Sequence, residues 1–211
     1  MAGMDRTGGR SGQDFPPRLC ALLLAAGAGR RFGGPKLLAP LRGRPLLLHA
    51  LDLALGCAAV NAGLWVVTGA HREAVGSCLA GAPAALVHNP AWAQGMGGSI
   101  ATGVAVLPAD TNAVLLLLAD QAALGMADID RLCAAWLAHP GAPVAAAHRG
   151  GSGAPAIFPR AWWPRLMALE GDLGARDLLR REPGLRTVAM PNAGKDVDTA
   201  AQLARLAHPE G

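Results

Sequence analysis

An apolar run over residues 20–26 passes directly into a turn carrying Gly27, Gly29, Gly33 and Gly34, and then into Lys36. A strand without polar alternation is buried on both faces, so it belongs to a sheet covered by helices on either side. A glycine-rich turn after such a strand lets backbone N–H groups approach an anion that a Cβ would hold away. Arg31 and Lys36 add full positive charge to that turn. The chain therefore calls for an α/β fold with a phosphate-holding loop at the end of its first strand.

The rest of the pattern extends this reading. Strands are expected over residues 64–68 and 85–88, alternating with helices over 45–56 and 70–79, a βαβαβ order that builds a parallel sheet. Further helices are expected at 99–107, 128–138, 174–181 and 199–206, and further strands at 113–119, 143–147, 156–158 and 185–190. Residues 1–17 hold Gly, Ser, Arg and Asp with little to bury, and are expected to be a disordered lead-in. One domain is expected over residues 18–208.

Two familiar glycine loops do not fit. A P-loop needs Gly-Lys followed by Ser or Thr, whereas Gly34-Pro35-Lys36-Leu37 lacks both the adjacency and the hydroxyl. The dinucleotide fingerprint needs G-x-G-x-x-G and an acid at the end of the next strand. Here Gly33 comes one residue late, and Leu64 to Gly69 ends without a carboxylate. The nicotinamide or flavin reading thus lacks its most diagnostic residue.

Composition narrows the partners. Hydrophobic residues make up 52% and charged residues 16% of 211, enough for a sizeable core. A net charge of +4 suits an anionic small substrate, but the arginines are scattered and aromatics reach only 4% with no tyrosine, which argues against nucleic acid. Cys20, Cys57, Cys78 and Cys133 form no C-x-x-C pair and read as buried free thiols. No apolar run is long enough to span a bilayer and no signal-peptide core is present, so a cytoplasmic location is expected.

Several residues could carry chemistry. Asp120 follows the apolar run at 113–119, at the carboxyl end of a central strand, where a magnesium ion completed by phosphate oxygens and water could sit. Asp196 and Asp198 alternate, so only one of them should face such a metal if the segment is extended. A second glycine cluster, Asn89-Pro90-Ala91-Trp92-Ala93-Gln94-Gly95-Met96-Gly97-Gly98-Ser99-Ile100, leads into a helix start and offers a second ligand wall. His71, His88, His139 and His148 have no partners at metal spacing and read as surface or structural. Trp92, Trp162 and Trp163 read as packing residues.

The first loop, L-A-A-G-x-G-x-R-x-G-x-x-K, resembles that of the nucleotidyltransferase superfamily, through Leu24, Ala25, Ala26, Gly27, Gly29, Arg31, Gly33 and Lys36. The second cluster resembles the N-P-x-W-x-x-G-M-x-x-S-L segment of MobA-like NTP transferases of the molybdenum cofactor cytidylyltransferase type. Gly153 to Phe158, Gly171 to Arg176 and Asp196 to Leu203 extend the likeness. The resemblance implies a single Rossmann-like three-layer α/β/α domain with a mostly parallel sheet, of the nucleotide-diphospho-sugar transferase type. It also implies a nucleotide on Leu24, Ala25, Ala26, Gly27, Gly29, Arg31, Lys36, Gly95 and Ser99, with Lys36, Arg31 and Asp120 catalytic and Mg2+ on Asp120 and Asp198. As N-cap of the last helix, Asp198 has a competing role.

Arg149, Ser152, Asp172 and Arg176 are the expected acceptor residues, with a surface Asp172–Arg176 ion pair as the alternative. The implied reaction moves CMP from CTP to the phosphate of molybdopterin or molybdenum cofactor, for a molybdenum hydroxylase client. Transfer to a sugar phosphate or polyol phosphate, and a non-catalytic pterin carrier, stay as alternatives. Ala122, Gly98 and Gln202 stand where the family usually has Pro, Ser and Asp.

Overall fold

The computed structural model describes residues 16–208, and the lead-in expected over residues 1–17 lies almost wholly outside the described residues. Strand β1 (Leu19–Ala25) is buried at every position. Its side chains alternate between two cores, Leu19, Ala21, Leu23 and Ala25 facing one and Cys20, Leu22 and Leu24 the other. The elements that follow are β2 (Pro40–Leu41), β3 (Arg44–Pro45), α1 (Leu46–Gly56), β4 (Val60–Thr68), α2 (Arg72–Cys78), β5 (Ala85–His88) and α3 (Met96–Ala105). After these come β6 (Ala113–Leu118), α4 (Met126–Ala138), β7 (Val144–His148), β8 (Gly151–Pro159), α5 (Trp163–Met167), α6 (Ala175–Leu179), β9 (Arg186–Ala189) and α7 (Ala200–Ala207).

Seven strands form one sheet in the order β5-β4-β1-β6-β8-β7-β9. β1 pairs in parallel with β4 and β6, β4 with β5, and β7 with β9, while β8 runs antiparallel to both neighbours. One face packs on Leu46, Leu47 and Leu51 of α1, Ile129 and Trp136 of α4 and Leu203 of α7. The other packs on Ile100 and Val104 of α3, Trp163 and Leu166 of α5 and Leu179 of α6. These two apolar layers make the three-layer architecture expected from the sequence. Each fully buried leucine in them contributes about 1.5 to 3 kcal/mol relative to an exposed one.

Several boundaries move. β4 begins at Val60 rather than residue 64, because Asn61 sits in the pairing frame and accepts a 2.9 Å hydrogen bond from the Leu19 N–H. β8 reaches back to Gly151 instead of starting at 156, since Gly151, Ser152 and Gly153 pair with β7 despite their turn-forming types. α3 starts at Met96 rather than residue 99. The β2–β3 hairpin and α5 have no counterpart in the expected elements. Trp162 and Trp163 are buried packing residues, as expected.

Candidate active site

The carboxyl ends of β1 and β6 open into a cleft of about 460 Å³, lined by the glycine loop, Lys36, Trp92, Gly95, Ser99, Asp120, Asp172 and Asp198. The loop is held from within, the N–H groups of Phe32, Gly33 and Gly34 all donating to the Gly29 carbonyl at 2.9, 3.0 and 3.4 Å. Gly29 itself has φ +67, and a Cβ there would run into the Gly34 carbonyl, so only glycine closes this turn. His71 braces the loop from outside, its Nε2 lying 3.1 Å from the Ala28 carbonyl. Every residue expected to hold nucleotide, from Leu24 to Lys36 together with Gly95 and Ser99, lines this one cleft.

At its base the charged groups interlock. Lys36 Nζ donates to Asp120 Oδ2 at 2.7 Å and to Asp198 Oδ1 at 3.4 Å. Arg31 Nη1 donates to the other oxygen of Asp198, Oδ2, at 2.8 Å. The lysine side chain is only 12% exposed against 80% for Arg31, so the lysine contacts are the better shielded from solvent. Asp120, near the middle of the chain, and Asp198, close to its end, thus converge on one cation.

Asp196 does not line the cleft, although its carboxyl lies within electrostatic reach of the two aspartates that do. Although the residue is exposed as a whole, its carboxyl is pushed above the ordinary range by desolvation first and by the Asp120 charge next, with Asp198 adding to both. It is close enough to share the field of Asp120 and Asp198. Among the described residues no cluster of three or more His, Cys, Asp or Glu side chains makes a metal cage. The donor set of Asp120 and Asp198 is all carboxylate oxygen and already brackets a positive charge, which suits a hard divalent cation completed by phosphate and water.

The second wall is built on α3. Gly95 has φ +126, and a Cβ there would strike the Gly171 carbonyl, while the Gly97 N–H donates to that same carbonyl at 2.9 Å. Loop 170–174 is thereby fixed over the helix start, which places Asp172 on the cleft. Ser99 is 3% exposed and accepts a 3.0 Å hydrogen bond from Asn89 Nδ2, leaving its own O–H to donate elsewhere. At Gly98, where the resemblance led us to expect a serine, a Cβ would find only Asn89 Nδ2 at 3.7 Å.

The four expected acceptor residues do not sit together. Asp172 lines the main cleft, whereas Ser152 and Arg176 line a separate one with Arg180 and Glu182, and Arg149 is exposed at the tip of the β7–β8 hairpin. The Arg176 guanidinium lies over Gly151, and it makes no ion pair with Asp172 among the described residues. Sequence reasoning missed Arg30, which lines the cleft; Trp92 packs against the core as expected and lines the cleft as well. It also missed Gln121, whose Nε2 donates to the carbonyls of Ala154 at 3.0 Å and Ala193 at 2.7 Å, tying the end of β6 to β8 and the late turn.

Comparison with known proteins follows the same outline. The MobA-like NTP transferase domain model matches residues 21–187. The chain is 35% identical over 204 residues to the nicotine blue oxidoreductase of Paenarthrobacter nicotinovorans, covering 90% of this chain and 97% of that protein. A probable molybdenum cofactor guanylyltransferase of Pyrococcus horikoshii is 40% identical over 58 residues, 28% of this chain and 30% of that protein. In structure, Rv0371c of Mycobacterium tuberculosis H37Rv superposes with a TM-score of 0.78 at 27% identity, covering 92% of this chain and 99% of that one. The matched residues run from β1 into β9 and take in the glycine loop, Lys36, the Gly95 to Ser99 wall and Asp120, so the chain belongs to the MobA-like NTP transferase family.

Proposed function

We propose that the cleft binds CTP with magnesium and transfers CMP to the phosphate of molybdopterin or its molybdenum form, releasing pyrophosphate and serving a molybdenum hydroxylase client. The observation that carries this reading is the bracket of Asp120 and Asp198 around Lys36, set directly against a loop built for phosphates. Loop N–H groups and the Arg31 and Lys36 cations hold the triphosphate and offset charge that builds on the α-phosphate. An acceptor phosphate oxygen attacks the α-phosphorus in line; the bond from that phosphorus to the bridging oxygen breaks, and pyrophosphate leaves. Positioning and electrostatics supply most of the acceleration in such transfers. A divalent cation on Asp120 and Asp198 would neutralise the triphosphate. Ala25-Ala26-Gly27 favours the cytidylyl over the guanylyl branch, and Asp172 stands on the acceptor side.

The likeness to an oxidoreductase over nearly its full length favours a second reading, in which the same loop holds the pyrophosphate of a nicotinamide dinucleotide. Two features weigh against it. β4 ends at buried Thr68 followed by Gly69, with no acid to hold a ribose hydroxyl. A pyrophosphate bound without a metal would also meet the carboxylates of Asp120 and Asp198 at close quarters. Supplying CTP, GTP and ATP in turn with magnesium and molybdopterin, and measuring pyrophosphate, tests the lead: CTP should release the most. No release with any donor, combined with oxidation of NADH or NADPH by an electron-accepting substrate, would replace it by the second reading.

A further inference from the structure

We propose that Lys36 is a built-in placeholder for the divalent cation, so that the enzyme without nucleotide resists metal and takes it up only as nucleotide phosphates draw the lysine away. This rests on the reading of Asp120 and Asp198 as metal ligands. Three observations carry it. Lys36 Nζ bridges Asp120 Oδ2 at 2.7 Å and Asp198 Oδ1 at 3.4 Å, joining the two carboxylates that would hold the cation. Arg31 takes the remaining Asp198 oxygen at 2.8 Å, so that carboxylate has both oxygens engaged. The lysine side chain is 12% exposed and leaves from the far end of the phosphate loop, at the start of the 3-10 turn Lys36–Leu38, so the ammonium lies between the two ligand sets.

A cation entering that bracket alone must displace a shielded ammonium and leave two positive charges in close contact. Triphosphate reverses the balance, because it offers Lys36 and Arg31 an alternative anion while creating the need for a counterion between the carboxylates. Each ligand then favours the other through the same pair of residues, and linkage requires the effect to be reciprocal. Lys36 thus changes partner during the binding cycle, from carboxylate before nucleotide binds to phosphate afterwards.

The test is Mn2+ titration of the nucleotide-free protein, followed by electron paramagnetic resonance of the free ion. Lys36→Met keeps the side-chain length, removes the charge, and should bind Mn2+ about tenfold or more tightly than wild type, within the usual range of such couplings. Arg31→Met, at a position 80% exposed and so tolerant of change, frees one oxygen of Asp198 and should give a smaller gain in the same direction. If Lys36→Met does not fold by circular dichroism, the Arg31→Met comparison decides. Equal Mn2+ affinity in wild type and the folded variants overturns the placeholder. That outcome is distinct from failure of the transfer reaction, since the metal titration uses neither nucleotide nor acceptor; if no form binds Mn2+ at all, both the placeholder and the metal assignment fall.

Discussion

Lys36, Asp120 and Asp198 meet in space across separations of 84 and 162 residues, so each can be removed without disturbing the local turn that presents it. Lys36→Ala and Asp120→Ala are expected to lower pyrophosphate release by a factor on the order of 100 or more, the scale of losing one electrostatic group at the reacting centre. Far-ultraviolet circular dichroism should stay native. Asp196 gives a pH-dependent prediction. Its carboxyl is raised by desolvation first and the Asp120 charge next, so folding favours its protonated form. Its contribution to stability is fully present below the unfolded carboxylate pKa of about 3.9 and is lost as pH rises through the raised folded value. Asp196→Asn should therefore melt about 1 to 2 °C above wild type at neutral pH, an effect limited by exposure, and the gain should vanish at acid pH.

Among the elements, the start of α3 is the most constrained joint, because Gly95 and Gly97 both lie against loop 170–173. Gly95→Ala forces a Cβ into the Gly171 carbonyl at a left-handed φ, and urea denaturation should show a loss of about 1 to 3 kcal/mol. The acceptor KM should rise with it, since loop 170–174 carries Asp172. The same joint shows what a sequence can and cannot disclose. β1, β6 and α1 were legible because an unbroken apolar run or a helical repeat is itself the cause of burial. The Gly151 to Pro155 half of β8 was not, because its Gly, Ser and Pro are turn formers locally and become a strand only through pairing with β7. Lys36 and Asp120 were legible through motifs that place them on a loop and a strand end. Arg30 and the cleft-facing side of Trp92 were not, since their placement on the site depends on how distant segments pack. Cys57 and Cys133 are buried free thiols, as read from the sequence, but their approach to 3.6 Å depends on how the end of α1 packs on α4.

For the molecule as a whole, stability and ligand attraction have separate sources. Leu115, fully buried on β6 and in register with Ala21 and Ile157, anchors one core; Leu115→Ala should cost about 2 to 5 kcal/mol by thermal or urea unfolding. If the cleft holds triphosphate as proposed, its attraction would come from the net charge of +4 and from Arg30, Arg31 and Lys36, partly offset by Asp120, Asp172 and Asp198. Nucleotide KM should accordingly rise with ionic strength as the Debye length falls from about 10 Å at 0.1 M to about 3 Å at 1 M salt, while kcat changes little. The reversed strand β8 has a consequence of another kind. It is a seam: on one side lie β5, β4, β1 and β6 with the phosphate loop, and on the other β7 and β9 with the hairpin that carries Arg149. The loop's own strand pairs, β1 with β4 and β6, do not cross that seam. Changes in β7, β9 or that hairpin therefore leave the strand pairs that carry the phosphate loop untouched, so the two sides of the sheet can vary separately.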